Sequence, residues 1–163
     1  MLKGDAYATM INVIKKQYES GSRIKMEKLY YVKIEAFVKA EIEVLVSIGV
    51  VEAPQLAEEE STLPFYYEQI DTDLVEFTSF CLEDYNKDYC IIMDEEGLMK
   101  SGNPAYRLTL TVDEVEYVRE LVGVILIGKG GYGEEGAYET GLTKEEADNL
   151  ISNLQVELFG FVQ

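Results

Sequence analysis

The sequence predicts an α+β protein: an N-terminal helical hairpin followed by a small antiparallel sheet with three helices. Three observations lead there. Apolar residues recur at helical spacing through the first fifty residues. Short β-branched and aromatic runs, separated by Gly, Pro, Asn and Asp turns, fill the middle of the chain. Two T-x-x-E sequences, at Thr111–Glu114 and Thr143–Glu146, carry the pattern of a reciprocal helix cap.

The elements follow in order. Asp5 caps a first helix with Tyr7, Met10, Ile11, Ile14 and Tyr18 on one face, and Gly21 ends it. A second helix starts near Ser22 and runs to about Ser47, with Tyr31, Ile34, Val38, Ile42 and Leu45 as its stripe. Residues from Val38 to Val50 also alternate in the manner of a β-strand. The absence of a breaker favours helix there. Ala53–Pro64 is a connection, and Phe65–Ile70 a short strand. Leu74, Phe77, Thr78, Cys81, Leu82 and Tyr85 predict a helix over Thr72–Tyr85. Tyr89–Met93, a return around Leu98–Lys100 and Tyr106–Leu110 form an antiparallel meander joined by turns at Asp94–Gly97 and Ser101–Pro104. A helix over Val115–Leu126, a glycine-rich loop over Gly128–Gly141, a helix from Lys144 and a strand over Val156–Val162 complete the chain. Two regions result: a helical segment, 1–53, and an acidic α+β domain, 65–163, or the two as one continuous domain.

Charge is the most informative property. The chain carries 31 Asp and Glu against 14 Lys and Arg, a net of −17. Residues 1–50 hold eight basic and six acidic residues; residues 51–163 hold six and twenty-five. A field of that sign repels nucleic acid and anionic lipid and attracts basic partners. No apolar run approaches the ~18 residues of a membrane span, and Met1–Asp5 lacks the order of a signal peptide. These features point to a cytoplasmic protein with no direct nucleic-acid or membrane partner.

Histidine is absent, which removes Ser/His/Asp and Cys/His nucleophile arrangements and imidazole metal sites. Cys81 and Cys90 alone cannot complete a zinc site. Gly128–Gly133 matches G-x-G-x-x-G, but Glu134 and Glu135 beside it would repel a pyrophosphate. Asp84, Asn86, Asp88 and Glu95 fall at positions 1, 3, 5 and 12 of a calcium-loop pattern and resemble an EF-hand over that stretch. Tyr89 stands where the loop's sharp turn wants glycine. No cofactor is implied.

The resulting reading is a non-catalytic acidic module that binds a basic, nucleic-acid-processing protein by imitating the charge of DNA, in the manner of phage or mobile-element inhibitors. The residues assigned to the partner are Glu58, Glu59 and Glu60; Asp71 and Asp73; Glu83, Asp84 and Asp88; Asp94, Glu95 and Glu96; and Glu134, Glu135 and Glu139. Tyr85, Tyr132 and Tyr138 join them, because tyrosine offers apolar area with a polar tip. Two alternatives stand beside it: a structural or assembly component that forms a homo-oligomer through its helical N-terminus, and a protein that binds a divalent metal.

Overall fold

The computed structural model describes residues 27–41, 43–80, 89–133 and 136–163. The elements are β1 (Tyr30–Ala40), β2 (Glu43–Glu52), α1 (Leu63–Ile70), β3 (Val75–Ser79), β4 (Tyr89–Asp94), a 3₁₀ turn (Gly97–Met99), β5 (Pro104–Val112), β6 (Val115–Val122), β7 (Ile125–Gly133), β8 (Gly136–Thr140), α2 (Lys144–Ser152) and β9 (Leu154–Phe161). The α+β expectation is therefore corrected. The protein is mainly β, with two antiparallel sheets and two short helices among the described residues.

Sheet A runs β2-β1-β7-β4-β3, with β8 also paired to β7; sheet B runs β6-β5-β9. β7 is the hinge of sheet A. Its first half, Ile125–Ile127, pairs with β1, and its second half, Lys129–Gly133, pairs with β8. The two strands meet where Tyr30 and Leu142 exchange backbone hydrogen bonds of 2.7 Å. Residues 30–52 are thus hydrogen-bonded into the same sheet as the acidic part of the chain.

The middle of sheet A is covered on both faces. Val32, Ile34, Ile91, Met93, Ile125 and Ile127 face sheet B and α2, forming one core with Tyr106, Leu108, Leu110, Leu121, Ala147 and Leu150. The other face carries Tyr31, Ile92 and Leu126 under Tyr66 and Ile70 of α1. Each fully buried Ile or Leu here contributes roughly 1.5–3 kcal/mol relative to exposure. Arg119 of β6 points inward and ties the sheets together, donating to the Ser79 carbonyl and, at 3.2 Å, to Thr78 Oγ1.

Six sequence expectations fail for identifiable reasons. The second helix of the hairpin is the β1–β2 ribbon from Tyr30 onward; β-branched alternation prevails, and the strands pair from Tyr30↔Glu52 to Ala40↔Glu43. The first helix lies outside the described residues. Phe65–Ile70 is not a strand but α1, opened by Pro64 in its first turn. Thr72–Tyr85 is not helical where described: Val75–Ser79 is β3, paired to β4. Thr111–Glu114 does not cap a helix. Asp113 and Glu114 adopt φ of 50° and 66°, the left-handed pair a two-residue hairpin requires, and β6 returns along β5. Gly128–Gly141 is largely the β7–β8 hairpin rather than a loop. The meander also divides, since β4 belongs to sheet A and β5 to sheet B, while Leu98–Met99 sits in a 3₁₀ turn.

Four expectations hold. Tyr89–Asp94, Pro104–Val112 and Leu154–Phe161 are strands. Thr143 caps α2 with both reciprocal bonds present: Glu146 N–H donates to Thr143 Oγ1 at 3.1 Å, and Thr143 N–H donates to Glu146 Oε2 at 3.0 Å.

Candidate functional site: an acidic corner and a buried carboxylate

Chain reversals bring five of the predicted acids to one corner of sheet A. α1 ends at Asp71, whose φ of 59° is left-handed, a conformation that Asp tolerates better than most residues. The chain turns through Thr72 and Asp73 into β3, and β4 arrives alongside, with Glu95 N–H donating to the Leu74 carbonyl at 3.1 Å. Asp94, Glu95 and Glu96 follow at once. Asp71, Asp73, Glu95 and Glu96 are exposed.

Asp94 differs from these four. It is 7% exposed and accepts hydrogen bonds from Lys100 Nζ (2.5 Å), Thr72 Oγ1 (3.0 Å) and Glu96 N–H (3.0 Å). Burial alone would raise its pKa; these donors, Lys100 foremost, outweigh burial and leave it below the ordinary carboxylate value. Asp94 therefore braces the turn and is not free to meet a partner. Lys100 is held above its usual range, first by its bond to Asp94 and also by the charges of Glu96 and Asp73. In the same turn Leu98 and Met99 are 75% and 77% exposed. The corner thus combines exposed carboxylates and one cation with two bare apolar side chains in the turn that follows Glu96.

The remaining predicted residues fall elsewhere. Glu58, Glu59 and Glu60 are exposed in the connection before α1, where Glu60 also accepts from Ala57 N–H at 3.0 Å. Tyr138 is half-exposed on β8. Glu83, Asp84, Tyr85, Asn86, Asp88, Glu134 and Glu135 lie outside the described residues, as does the side chain of Tyr132. The calcium-loop pattern meets a structural obstacle: Tyr89–Asp94 is a strand bonded on both sides. A run that extended does not curl around an ion as the second half of such a loop must. Among the described residues, no three Cys, Asp or Glu side chains group to hold a metal ion.

Glu139 is corrected more sharply. The sequence places it among the partner-binding acids, but on β8 it stands opposite Gly130, on the face that α1 covers. Tyr31 and Tyr66, 2% and 1% exposed, both donate to its carboxylate, and their hydroxyl oxygens are 2.9 Å apart. Burial raises the Glu139 pKa, and the two phenols only partly offset it. Burial, then the bond to Glu139, pushes both phenols up. Cys90, next to this group on β4, is a free thiol pushed up to about 12 by burial and then by the charge of Glu139. The cluster is chemically closed: both carboxylate oxygens are occupied, and neither phenol nor thiol ionises near neutral pH. It clamps β8 and α1 to β1.

The sequence reading missed Tyr31, Tyr66, Leu98 and Met99. A signal existed for Tyr31, because Gly128 of β7 leaves room for its ring. A Cβ on Gly128 would lie 2.6 Å from Tyr31 Cε1.

The chain matches no protein-family model, no curated protein and no solved structure. Function must therefore be argued from this surface. No helix of the described residues is long and apolar enough to cross a membrane.

Proposed function

We propose that the protein is a non-catalytic module that binds a basic protein surface through its acidic corner. The carrying observation is that exposed Asp71, Asp73, Glu95 and Glu96 stand at the chain reversals of one corner, with exposed Leu98 and Met99 in the turn that follows Glu96. Apolar anchors inside a polar rim are the anatomy of an interface that survives competition from water. The carboxylates steer a basic partner toward the corner, and the two apolar side chains supply area that becomes dry on contact. A basic groove on a nucleic-acid-processing protein is the partner class this charge fits. Internal pairing supports the reading from another side. Lys28, Lys33, Arg107, Lys129 and Lys144 each lie within 4 Å of a carboxylate elsewhere on the fold. On sheet B, Arg107 lies between Glu120 and Glu157; at the corner, Lys100 is committed to Asp94.

The test compares two charge-removal variants of the tagged protein in affinity capture from host lysate, washed at low and high salt. Asp73→Ser/Glu95→Gln/Glu96→Gln alters the corner and spares Asp94. Glu58→Gln/Glu59→Gln/Glu145→Gln removes as many exposed acids elsewhere. Loss of a basic partner in the first variant alone, with salt-sensitive retention in the parent, is the expected result. Equal loss in both variants would reduce the acidity to a general field and sink the reading.

A further inference from the structure

β3 is the last strand of sheet A, and among the described residues it pairs only with β4. Its other edge is open at the acidic corner. Glu95 N–H donates to the Leu74 carbonyl, which makes Leu74 and Glu95 a hydrogen-bonded pair of the ladder. Along an antiparallel strand the bonding direction alternates from residue to residue. Glu76 and Thr78 therefore turn their backbone groups toward β4, while Val75 and Phe77 turn theirs to the open edge. Ser79 continues the alternation, because its carbonyl accepts from Arg119 rather than from β4. That bond closes one end of the edge, and Asp73 stands at the other.

Backbone donors and acceptors of this kind are met by water or by another strand. The side chains beside them select the strand. Leu74 and Phe77 are 43% and 49% exposed and alternate to opposite faces, so the edge carries apolar area on both. Phe77 is also held in place, its ring edge-on to Tyr66 with centroids 5.9 Å apart. Asp73 and Glu76 are exposed along the same edge, and Glu95 and Glu96 follow the neighbouring strand. The two cations nearby in the ladder and turn are engaged, Lys100 with Asp94 and Arg119 with Ser79 and Thr78. We propose that the basic partner docks through an extended segment that adds to sheet A along β3. Its backbone pairs with Val75 and Phe77, its lysine or arginine side chains meet Asp73 and Glu76, and its apolar side chains cover Phe77. This mode of docking rests on the corner being the binding surface, and it fixes the form of what docks there. A second copy of this chain fits poorly, because antiparallel pairing of two β3 edges sets the carboxylates of one copy against those of the other.

Two peptides of equal length and charge test it on the full-length protein at low salt. One alternates lysine and valine; the other alternates lysine and proline, which blocks strand pairing. The lysine–valine peptide should bind and slow hydrogen exchange at the Val75 and Phe77 amides, and the lysine–proline peptide should bind about tenfold more weakly and protect neither. Val75→Pro removes one outward donor from an edge where proline is tolerated, and it should weaken the lysine–valine peptide by about tenfold. Equal binding of the two peptides, lost in Asp73→Ser/Glu95→Gln/Glu96→Gln, overturns strand addition and leaves the corner as the docking surface. Binding of both peptides that this charge variant does not change overturns the corner as well. No binding of millimolar lysine–valine peptide overturns strand addition, and capture from lysate then decides the corner by itself. Protection of Val75 and Phe77 without peptide that is lost on dilution identifies a second copy and overturns the proposal.

Discussion

Leu126 and Ile127 are adjacent in β7 and both are fully buried, whereas in β6 Leu121 is buried while Glu120 and Val118 face water. The first pair belongs to two cores, one under α1 and one under sheet B. The second alternates because sheet B has a single covered face. The middle of sheet A is therefore insulated from solvent on both sides, and sheet B is its lid. The contrast teaches where this protein can change. Sheet B and the acidic corner present replaceable surface, while β7 and the strands beside it carry the fold.

The largest expected effect tests that contrast directly. Ile127→Ala should cost about 2–5 kcal/mol in urea unfolding, from lost burial plus the cavity left between the sheets. Val118→Ala, on the outer face of sheet B and 50% exposed, should stay within about 0.5 kcal/mol. Comparable losses at the two positions would break the distinction between an insulated sheet and its lid.

A second, smaller effect sharpens it within sheet A. Gly128→Ala would place a Cβ 2.6 Å from the Tyr31 ring and 2.7 Å from the Thr140 carbonyl. Neither neighbour yields easily: Tyr31 is pinned by Tyr66 and Glu139, and Thr140 is paired to Lys129. Overpacking of this kind should cost about 1–3 kcal/mol. Gly49→Ala, on the ribbon where a Cβ meets nothing within 4 Å, should be neutral or stabilising by up to about 1 kcal/mol. Equal denaturant midpoints for the two variants would show that the Tyr31 side of the sheet has slack.

The same two environments explain what the sequence disclosed. Strands with one wet face and recognisable turns were legible: β5, β9 and the start of β4 alternate or lie between Gly, Pro and Asn. The capped helix α2 was legible because its cap bonds are local. What failed was decided by partners distant in the chain. Val124–Ile127 reads as helix because a strand buried on both faces has no alternation to show. Thr111–Glu114 spells a cap, and only the pairing of β6 with β5 converts Asp113 and Glu114 into a hairpin turn that Asn-Gly would have announced. Val38–Val50 carries a strand period in plain view, but the residues between the two strands include neither Gly nor Pro. For the candidate site, charge located the corner acids. It could not separate Asp94 and Glu139 from the exposed carboxylates, because their burial depends on Lys100 and on two tyrosines far away in sequence.

Those two carboxylates respond to pH in opposite directions, which gives the smallest and most diagnostic effect. Asp94 is depressed below its ordinary 3.8, so its contribution is present above that value and lost as pH falls from there through the lower folded value. Glu139 is raised above 4.5. The folded state then binds its proton more tightly than the unfolded state, and stability declines as pH rises from 4.5 through the folded value. Gln at 139 removes the charge and still offers a carbonyl to one phenol and an amide N–H to the other. Glu139→Gln should therefore unfold at higher urea than the parent at neutral pH, by about 1 kcal/mol or less, and the gap should close as the parent is acidified toward the ordinary glutamate range. Urea midpoints of both proteins between about pH 4 and pH 8 decide it. A gap that reverses at neutral pH would mean that the ionised carboxylate is the form the phenols stabilise. β8 would then be held by a charge-assisted clamp whose hydrogen bonds outweigh the burial of Glu139.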